Sequence, residues 1–202
     1  MLKKITLGLA VIAASLTANA SDITTTVVKN DNLTIEHTFT PAVSAFGVPF
    51  GVKYDVTEEN PNVRSIVSKG NNNLIQLSVD KNPYFKTAYA STNQNQMPYE
   101  VSAISTIFEN LKKSILAFDN VAMILSDKYE MIKDVTEKEN PDGTFCYYYE
   151  FKKDTVSILL KMQEYEKLIN GRKSSYYKVI VNYTDSKYKI NKTHSDPLFN
   201  IL

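Results

Sequence analysis

The stretch between residues 156 and 183 alternates apolar and polar side chains on both sides of a turn. Apolar residues occupy every second position, first Val156, Ile158, Leu160 and Met162, then Tyr177, Val179, Val181 and Tyr183. Successive side chains of a β-strand point to opposite faces of a sheet, so this period predicts two strands that each bury one face. Asn170-Gly171 lies between them and has the chemistry of a tight turn. The pattern predicts an antiparallel hairpin with the longest strands in the chain.

Shorter strand patterns fall into two groups. The first half of the chain has candidates at residues 33–39, 50–57, 63–67 and 74–79, which polar turn segments separate. This spacing is typical of an antiparallel meander. In the second half, residues 129–136 and 144–151 predict two more strands, joined across Asn140-Pro141-Asp142-Gly143. Proline fixes φ and glycine permits positive φ, as a tight turn requires.

Helical periodicity is clearest at residues 99–118. Apolar side chains recur there three or four positions apart, at Val101, Ile104, Phe108, Leu111, Ile115 and Phe118. A shorter helix is predicted at 83–90, because Asn82 offers an N-cap and Pro83 suits the first helical position. Residues 121–125 fit either a strand or the end of the main helix.

Together these elements predict an α+β fold: an antiparallel β-sheet built from two strand-rich meanders, with one main amphipathic helix packed on it. No stretch rich in glycine, proline or serine divides the chain. We therefore expect a single domain over residues 21–202, in which residues 185–202 form a polar terminal arm.

The first twenty residues have the three parts of a secretory signal. Lys3 and Lys4 precede an apolar core at residues 5–16, and Ala18-Asn19-Ala20 has the small residues that a signal peptidase recognises. The apolar core is too short to span a bilayer as a permanent anchor, because a spanning helix needs about 20 residues. The sequence therefore predicts cleavage after Ala20, periplasmic or secreted localisation, and no integral membrane segment after cleavage.

Charge and cysteine content exclude several classes of function. The formal net charge is +1 and becomes −1 without Lys3 and Lys4, which gives no electrostatic reason to expect a nucleic-acid partner. Cys146 is the single cysteine, so an internal disulfide is impossible. With two histidines and one cysteine, the chain also lacks material for a zinc site, and no calcium-loop or phosphate-loop motif occurs. We predict no metal and no cofactor.

His37 is a candidate ligand- or partner-binding residue, and it is also the general base of the alternative function. Alternation in residues 33–39 places it on the same face as Leu33, Ile35 and Phe39, where it is either a hydrogen-bonded core residue or a base at a pocket. A dyad of Cys146 and His37 is the one nucleophile and base pair that the composition permits. An exported hydrolase with an unrecognised site near His37 is therefore the alternative function.

Thirteen tyrosines without any tryptophan favour a binding surface or sheet packing. Tyr147-Tyr148-Tyr149 and Tyr176-Tyr177 lie on predicted strands, so their rings point to both faces of the sheet. Tyr148 and Tyr177 are the candidates for partner contact, because tyrosine combines a rigid ring with a polar tip.

Residues 41–51 are unusually apolar for a connection. They contain Phe46, Val48 and Phe50 together with two glycines and two prolines. If the segment is exposed, these three side chains form the lip of an apolar-ligand site or a docking patch. If it is buried, they belong to the core.

These observations predict an exported, non-catalytic binding protein. Its partner is either another protein or an apolar small molecule.

Overall fold

The computed structural model describes residues 23–29, 33–39, 43–57, 59–69, 72–169 and 171–188. Antiparallel strands make up most of these residues, and a single helix packs on them, so the predicted α+β class is confirmed. The elements are β1 (Ile23–Lys29), β2 (Leu33–Phe39), β3 (Ser44–Ala45), β4 (Val48–Pro49), β5 (Val63–Lys69), β6 (Asn72–Leu77), β7 (Phe85–Thr92), β8 (Pro98–Ser105), α1 (Leu111–Ser126), β9 (Glu130–Glu139), β10 (Phe145–Lys153), β11 (Val156–Ile169) and β12 (Arg172–Asp185).

Eight of the described strands form one antiparallel sheet in the order β5-β6-β7-β8-β12-β11-β10-β9. Strands β5 to β8 and strands β9 to β12 each pair in chain order, so the sheet consists of two meanders, as predicted. The first meander differs in composition from the prediction, because residues 33–39 pair with β1 outside this sheet and residues 50–57 form no strand. Helix α1 connects β8 to β9, which is the outer edge strand of the second meander. Strands β10, β11 and β12 then lie successively closer to the first meander, and β12 pairs with β8. The β8–β12 ladder thus joins both meanders into a continuous sheet. Separately, β1 pairs with β2 and β3 pairs with β4.

The helix begins later than its pattern predicted. Its N-cap is Asn110, whose side chain accepts a hydrogen bond from the backbone N–H of Lys113 at 3.2 Å. One side of α1 is buried and packs on β10, β11 and β12 through Ser114, Phe118, Val121, Ala122 and Leu125. Residues 121–125 are therefore the end of the helix. The prediction of one helix on the sheet is confirmed, whereas its predicted bounds of 99–118 are wrong.

Strand β8 occupies the start of the predicted helix. It pairs with β7 on one side and β12 on the other, and Tyr99, Val101 and Ala103 are buried. At the end of the strand, the side-chain oxygen of Ser105 accepts a hydrogen bond from the backbone N–H of Val179 at 2.9 Å. Pairing on both sides satisfies the backbone groups of β8, so the ladders override the helical period of its sequence.

Two shorter predictions are also wrong. Residues 83–90 form no helix, since 85–90 belong to β7. The side-chain oxygen of Asn82 accepts hydrogen bonds from Tyr84 N–H at 2.9 Å and Phe85 N–H at 3.0 Å, which closes a turn before the strand. Residues 50–57 form no strand. The chain bends at Gly51, whose φ is +84°, and Tyr54 N–H donates to Gln96 O at 2.9 Å.

From Val43 to Phe50 the apolar segment packs into the core through most of its side chains, whereas Gly51 is exposed. Phe46, Val48 and Phe50 are buried, and Phe46 packs edge-to-face against Phe85 with ring centroids 5.5 Å apart. The turn between β3 and β4 uses Gly47 at a φ of +79°. Of the two alternatives for this segment, burial is the one the structure adopts.

Both predicted hairpins of the second half are confirmed. Strands β9 and β10 are joined by a turn that contains Gly143 at a φ of +83°, and β11 and β12 pair over their full length around Gly171 at +75°. The predicted strands at 33–39, 63–67 and 74–79 correspond to β2, β5 and β6.

Several predictions lie outside the described residues. They are the signal at 1–20, residues 189–202 of the terminal arm, and the side chain of His37, whose backbone pairs with Thr25 in the β1–β2 ladder. Within the described part of the chain, no helix is both long enough and apolar enough to cross a bilayer.

Candidate partner-binding surface

Strand alternation sorts the charged side chains of β9–β12 onto opposite faces of the sheet. Tyr149 marks the helix side, because its ring stacks on Phe118 of α1 with centroids 5.1 Å apart. The ladder registers place four carboxylates on this side, Glu137, Glu139, Glu164 and Glu166. The opposite side carries the lysine–tyrosine face, which we define as Lys133, Lys138, Tyr148, Lys161, Tyr165, Tyr176 and Lys178. The carboxylate side also holds Lys173, which pairs with Glu166, and the lysine side holds Glu150, which lies near Lys133. Lysines still predominate on one side of these strands and glutamates on the other.

Tyr148 is half-buried on the lysine–tyrosine face and is held by a neighbouring lysine. Lys133 Nζ donates a hydrogen bond to the Tyr148 hydroxyl at 2.8 Å and lies 3.8 Å from Glu150 Oε1. The hydrogen bond with Tyr148, and to a smaller extent the charge of Glu150, raises the pKa of Lys133. This arrangement keeps a positive charge next to the tyrosine ring.

A pair of stacked tyrosines forms the second part of this face. The rings of Tyr165 and Tyr176 lie 5.2 Å apart between centroids with 13° between their planes, and Lys178 Nζ lies 5.2 Å from the Tyr165 centroid. Both rings are half-buried, and desolvation raises the pKa of Tyr165. The pair offers a preassembled aromatic surface beside a cation. Neither residue was a predicted site residue, although both lie on the hairpin that the alternation identified.

Tyr177 belongs to a different cluster on the helix side. Its hydroxyl donates to Glu164 Oε1 at 3.4 Å, and the Tyr147 hydroxyl donates to Glu137 Oε1 at 3.1 Å. Glu164 Oε2 also accepts a hydrogen bond from the backbone N–H of Phe145 at 3.2 Å. Desolvation first, and then the neighbouring carboxylates, raise the pKa of both tyrosines. The predicted pair Tyr148 and Tyr177 is therefore separated by the thickness of the sheet.

Three of the remaining predicted site residues, Phe46, Val48 and Phe50, lie in the core and do not join either tyrosine surface. The His37 side chain lies outside the described residues.

The Cys146 thiol is not activated for nucleophilic attack. It is buried, and desolvation raises its pKa even though Lys161 and Lys138 act in the opposite direction. The attacking species in cysteine catalysis is the thiolate, which this environment disfavours. In the part of the chain that the structure describes, no three histidine, cysteine, aspartate or glutamate side chains are grouped so that they could hold a metal ion.

Comparison with known proteins gives no family assignment. Neither the family models, nor the curated proteins, nor the solved structures give a match to this chain.

Proposed function

We propose that this chain is an exported, non-catalytic binding protein that recognises another protein through the lysine–tyrosine face. The observation that carries the proposal is the stacked pair of Tyr165 and Tyr176 beside Lys178, on the side of the sheet away from α1. Aromatic side chains in such positions give large contact areas at a small cost in side-chain entropy.

The support for these rings is rigid. Strands β11 and β12 each contain 14 residues and remain in register from Val156 to Asp185. Side chains on paired strands are positioned more accurately than side chains on loops, so the partner meets a surface that needs little ordering. Such a surface suits recognition of a complementary protein surface.

Among the two kinds of partner that the sequence predicted, a protein is favoured over an apolar small molecule. An apolar-ligand site at residues 41–51 needs Phe46, Val48 and Phe50 to be accessible, and these side chains are in the core. The hydrolase alternative loses one candidate nucleophile, because the Cys146 thiol is buried with a raised pKa.

Export is the second part of the proposal, and it is motivated by Lys3, Lys4, the apolar residues 5–16 and Ala18-Asn19-Ala20. Intact-mass measurement on protein from the native host tests it. We expect a product that begins at Ser21 in the envelope fraction or the medium. A product that retains Met1 in the cytosolic fraction would refute this part.

Chemical crosslinking in the native host tests the binding function. We expect one predominant protein to crosslink to the wild type, to bind again when both are purified, and to lose binding on Tyr148→Ser and Tyr165→Ser. Tyr89→Ser is the matched control, since Tyr89 is also a half-buried tyrosine but lies on β7. Equal loss of binding in the control, or no loss in the Tyr148 and Tyr165 variants with folding intact by circular dichroism, would count against the proposal.

A further inference from the structure

We infer that the lysine–tyrosine face binds an extended acidic segment of the partner protein, with carboxylates four residues apart contacting Lys138 and Lys178. This inference rests on the proposed function and adds to it the chemistry of the partner. Three features carry it: the register of the lysines, the flanking tyrosines and the predominance of lysine among the cations of this face.

The ladder registers place Lys138, Cys146, Gln163 and Lys178 in one row across β9, β10, β11 and β12. The row has a lysine at each end. Neighbouring strands lie about 4.8 Å apart, so the backbones of Lys138 and Lys178 are separated by roughly 14 Å. An extended peptide rises about 3.4 Å per residue and turns alternate side chains to the same side, so residues i and i+4 span almost the same distance and face the same way.

Tyrosines lie on both sides of this row. On one side, the neighbouring row of the same face contains Tyr148 opposite Lys161. On the other side, the neighbouring row contains Tyr165 opposite Tyr176. A peptide that follows the central row therefore has aromatic rings beside it while its acidic side chains reach the two lysines. Rings supply contact area, and the lysines supply charge complementarity that directs the encounter.

The type of cation favours carboxylates of a protein over the phosphates of a nucleic acid. The chain has only two arginines, Arg64 and Arg172, and the cations of this face are mostly lysines. Alternation along β12 places Arg172 on the same side as Tyr176 and Lys178, at the hairpin end of the strand. Arginine presents the planar fork that matches phosphate, whereas lysine acts as a point charge. Arg64 lies in the first meander and is paired with Asp80, so it takes no part in this face.

Fluorescence anisotropy with labelled synthetic peptides, on protein expressed from the full-length gene, tests the inference. The probe is a glycine–serine peptide with two glutamates four residues apart, and its isomer has the glutamates three residues apart. We expect tighter binding of the first peptide, because residues i and i+3 of an extended chain face opposite ways. Its affinity should fall as salt is added.

Two double variants test whether peptide binding depends on this face or only on the net charge of the protein. The double variant Lys138→Glu with Lys178→Glu should weaken binding of the first peptide by about tenfold or more. The control is Lys112→Glu with Lys173→Glu, which changes the net charge equally but alters α1 and the helix side of β12, and it should bind within about twofold of the wild type. Circular dichroism confirms that both variants fold.

Three outcomes would overturn the inference: no binding of either peptide, equal affinity for both isomers, or equal loss in the two double variants. Tighter binding of an oligothymidylate that depends on Lys138 and Lys178 would also overturn it, in favour of a nucleic acid. If the peptides fail but crosslinking to the cellular partner still depends on Tyr148 and Tyr165, the acidic-segment inference falls and the proposed function stands.

Discussion

Phe50 stacks on Tyr183 of β12, with ring centroids 6.3 Å apart and 26° between the ring planes. Both rings are buried, with 4% of Phe50 and 1% of Tyr183 exposed. The contact anchors an irregular segment of the chain to a central strand of the sheet. It thereby helps to anchor residues 43–57 to the core, in which Val43, Phe46, Val48, Phe50 and Tyr54 are buried.

Truncation of Phe50 should therefore destabilise the whole protein. We expect Phe50→Ala to lower the free energy of unfolding by about 3–5 kcal/mol, through lost burial and the cavity left against Tyr183. Chemical denaturation followed by circular dichroism measures this. Leu116→Ala on the outer side of α1 is the control, since Leu116 is 62% exposed, and its effect should stay within about 0.5 kcal/mol. Similar values for the two variants would mean that residues 43–57 are not anchored in the core.

The sequence pattern predicted the hairpins of the second half because their alternation and turn residues agree. In β11 and β12 the apolar positions share one face, and Gly171 adopts the positive φ that its turn requires. Local information of this kind is sufficient when a strand pairs with its neighbour in the chain.

The pattern failed at β8 because two periods coexist there. Val101 and Ile104 fit a helical spacing with later residues, but Tyr99, Val101 and Ala103 also alternate. All three of these are buried, as is every residue of β8 except the partly buried Ile104. Pairing with β12 decides between the two periods, and β12 is distant in sequence. A single-sequence pattern contains no information on that pairing.

The candidate surface was predictable only in part for a similar reason. Alternation alone indicates that Tyr148 and its neighbour Tyr147 face opposite ways, but the stack of Tyr165 on Tyr176 depends on the exact register around Gly171. Likewise, the net charge near zero concealed the predominance of lysine on one side of these strands and of glutamate on the other, because composition does not record which side of a strand each charge occupies.

Asn110 should be important for the stability of α1, because it caps the helix where the chain leaves the sheet. We expect Asn110→Ala to lower the free energy of unfolding by about 1 kcal/mol through loss of the hydrogen bond from Lys113 N–H. Asn110→Asp keeps an acceptor at the cap and should retain nearly wild-type stability. Thermal and denaturant unfolding compare the three proteins, and equal destabilisation by both substitutions would argue against a capping role.

Alkaline pH should destabilise the fold through Tyr54. Burial raises the pKa of Tyr54 from 10.0 to about 12, while Asn60 and Asn62 oppose part of the rise. Below pH 10 the residue is protonated in the folded and unfolded chain alike, and its contribution is complete. Between pH 10 and 12 the unfolded chain releases the proton more readily, so the free energy of unfolding should decrease as pH rises.

Tyr54→Phe isolates this contribution from those of the other buried tyrosines. The variant should lose less stability than the wild type over the same pH interval, in denaturant titrations at fixed ionic strength. Parallel pH profiles for the two proteins would show that Tyr54 does not titrate with a raised pKa.

Cys146 should react slowly with alkylating reagents in the folded protein. Burial excludes the reagent and raises the pKa of the thiol, so little thiolate exists at neutral pH. Mass spectrometry after iodoacetamide treatment should show rapid modification only in denaturant. The matched control is an exposed thiol on β11, made by Ser157→Cys in a Cys146→Ser background, which should react quickly without denaturant. Fast modification of native Cys146 would instead revive the nucleophile hypothesis.

The tyrosine and carboxylate contacts on the helix side should be separable by titration. Desolvation and then Glu164 raise the pKa of Tyr177, whereas desolvation and then Glu137 raise the pKa of Tyr147. Glu164→Gln should therefore lower the pKa of Tyr177 more than that of Tyr147, and Glu137→Gln should lower the pKa of Tyr147 while leaving Tyr177 nearly unchanged. The reason is that each glutamine removes a negative charge next to one phenolate. Carbon-13 NMR titration of labelled tyrosine resolves the two rings and measures the pKa of each. If both variants changed the pKa of Tyr147 and Tyr177 equally, the two hydroxyls would share one carboxylate environment and would not form the separate contacts at 3.1 Å and 3.4 Å.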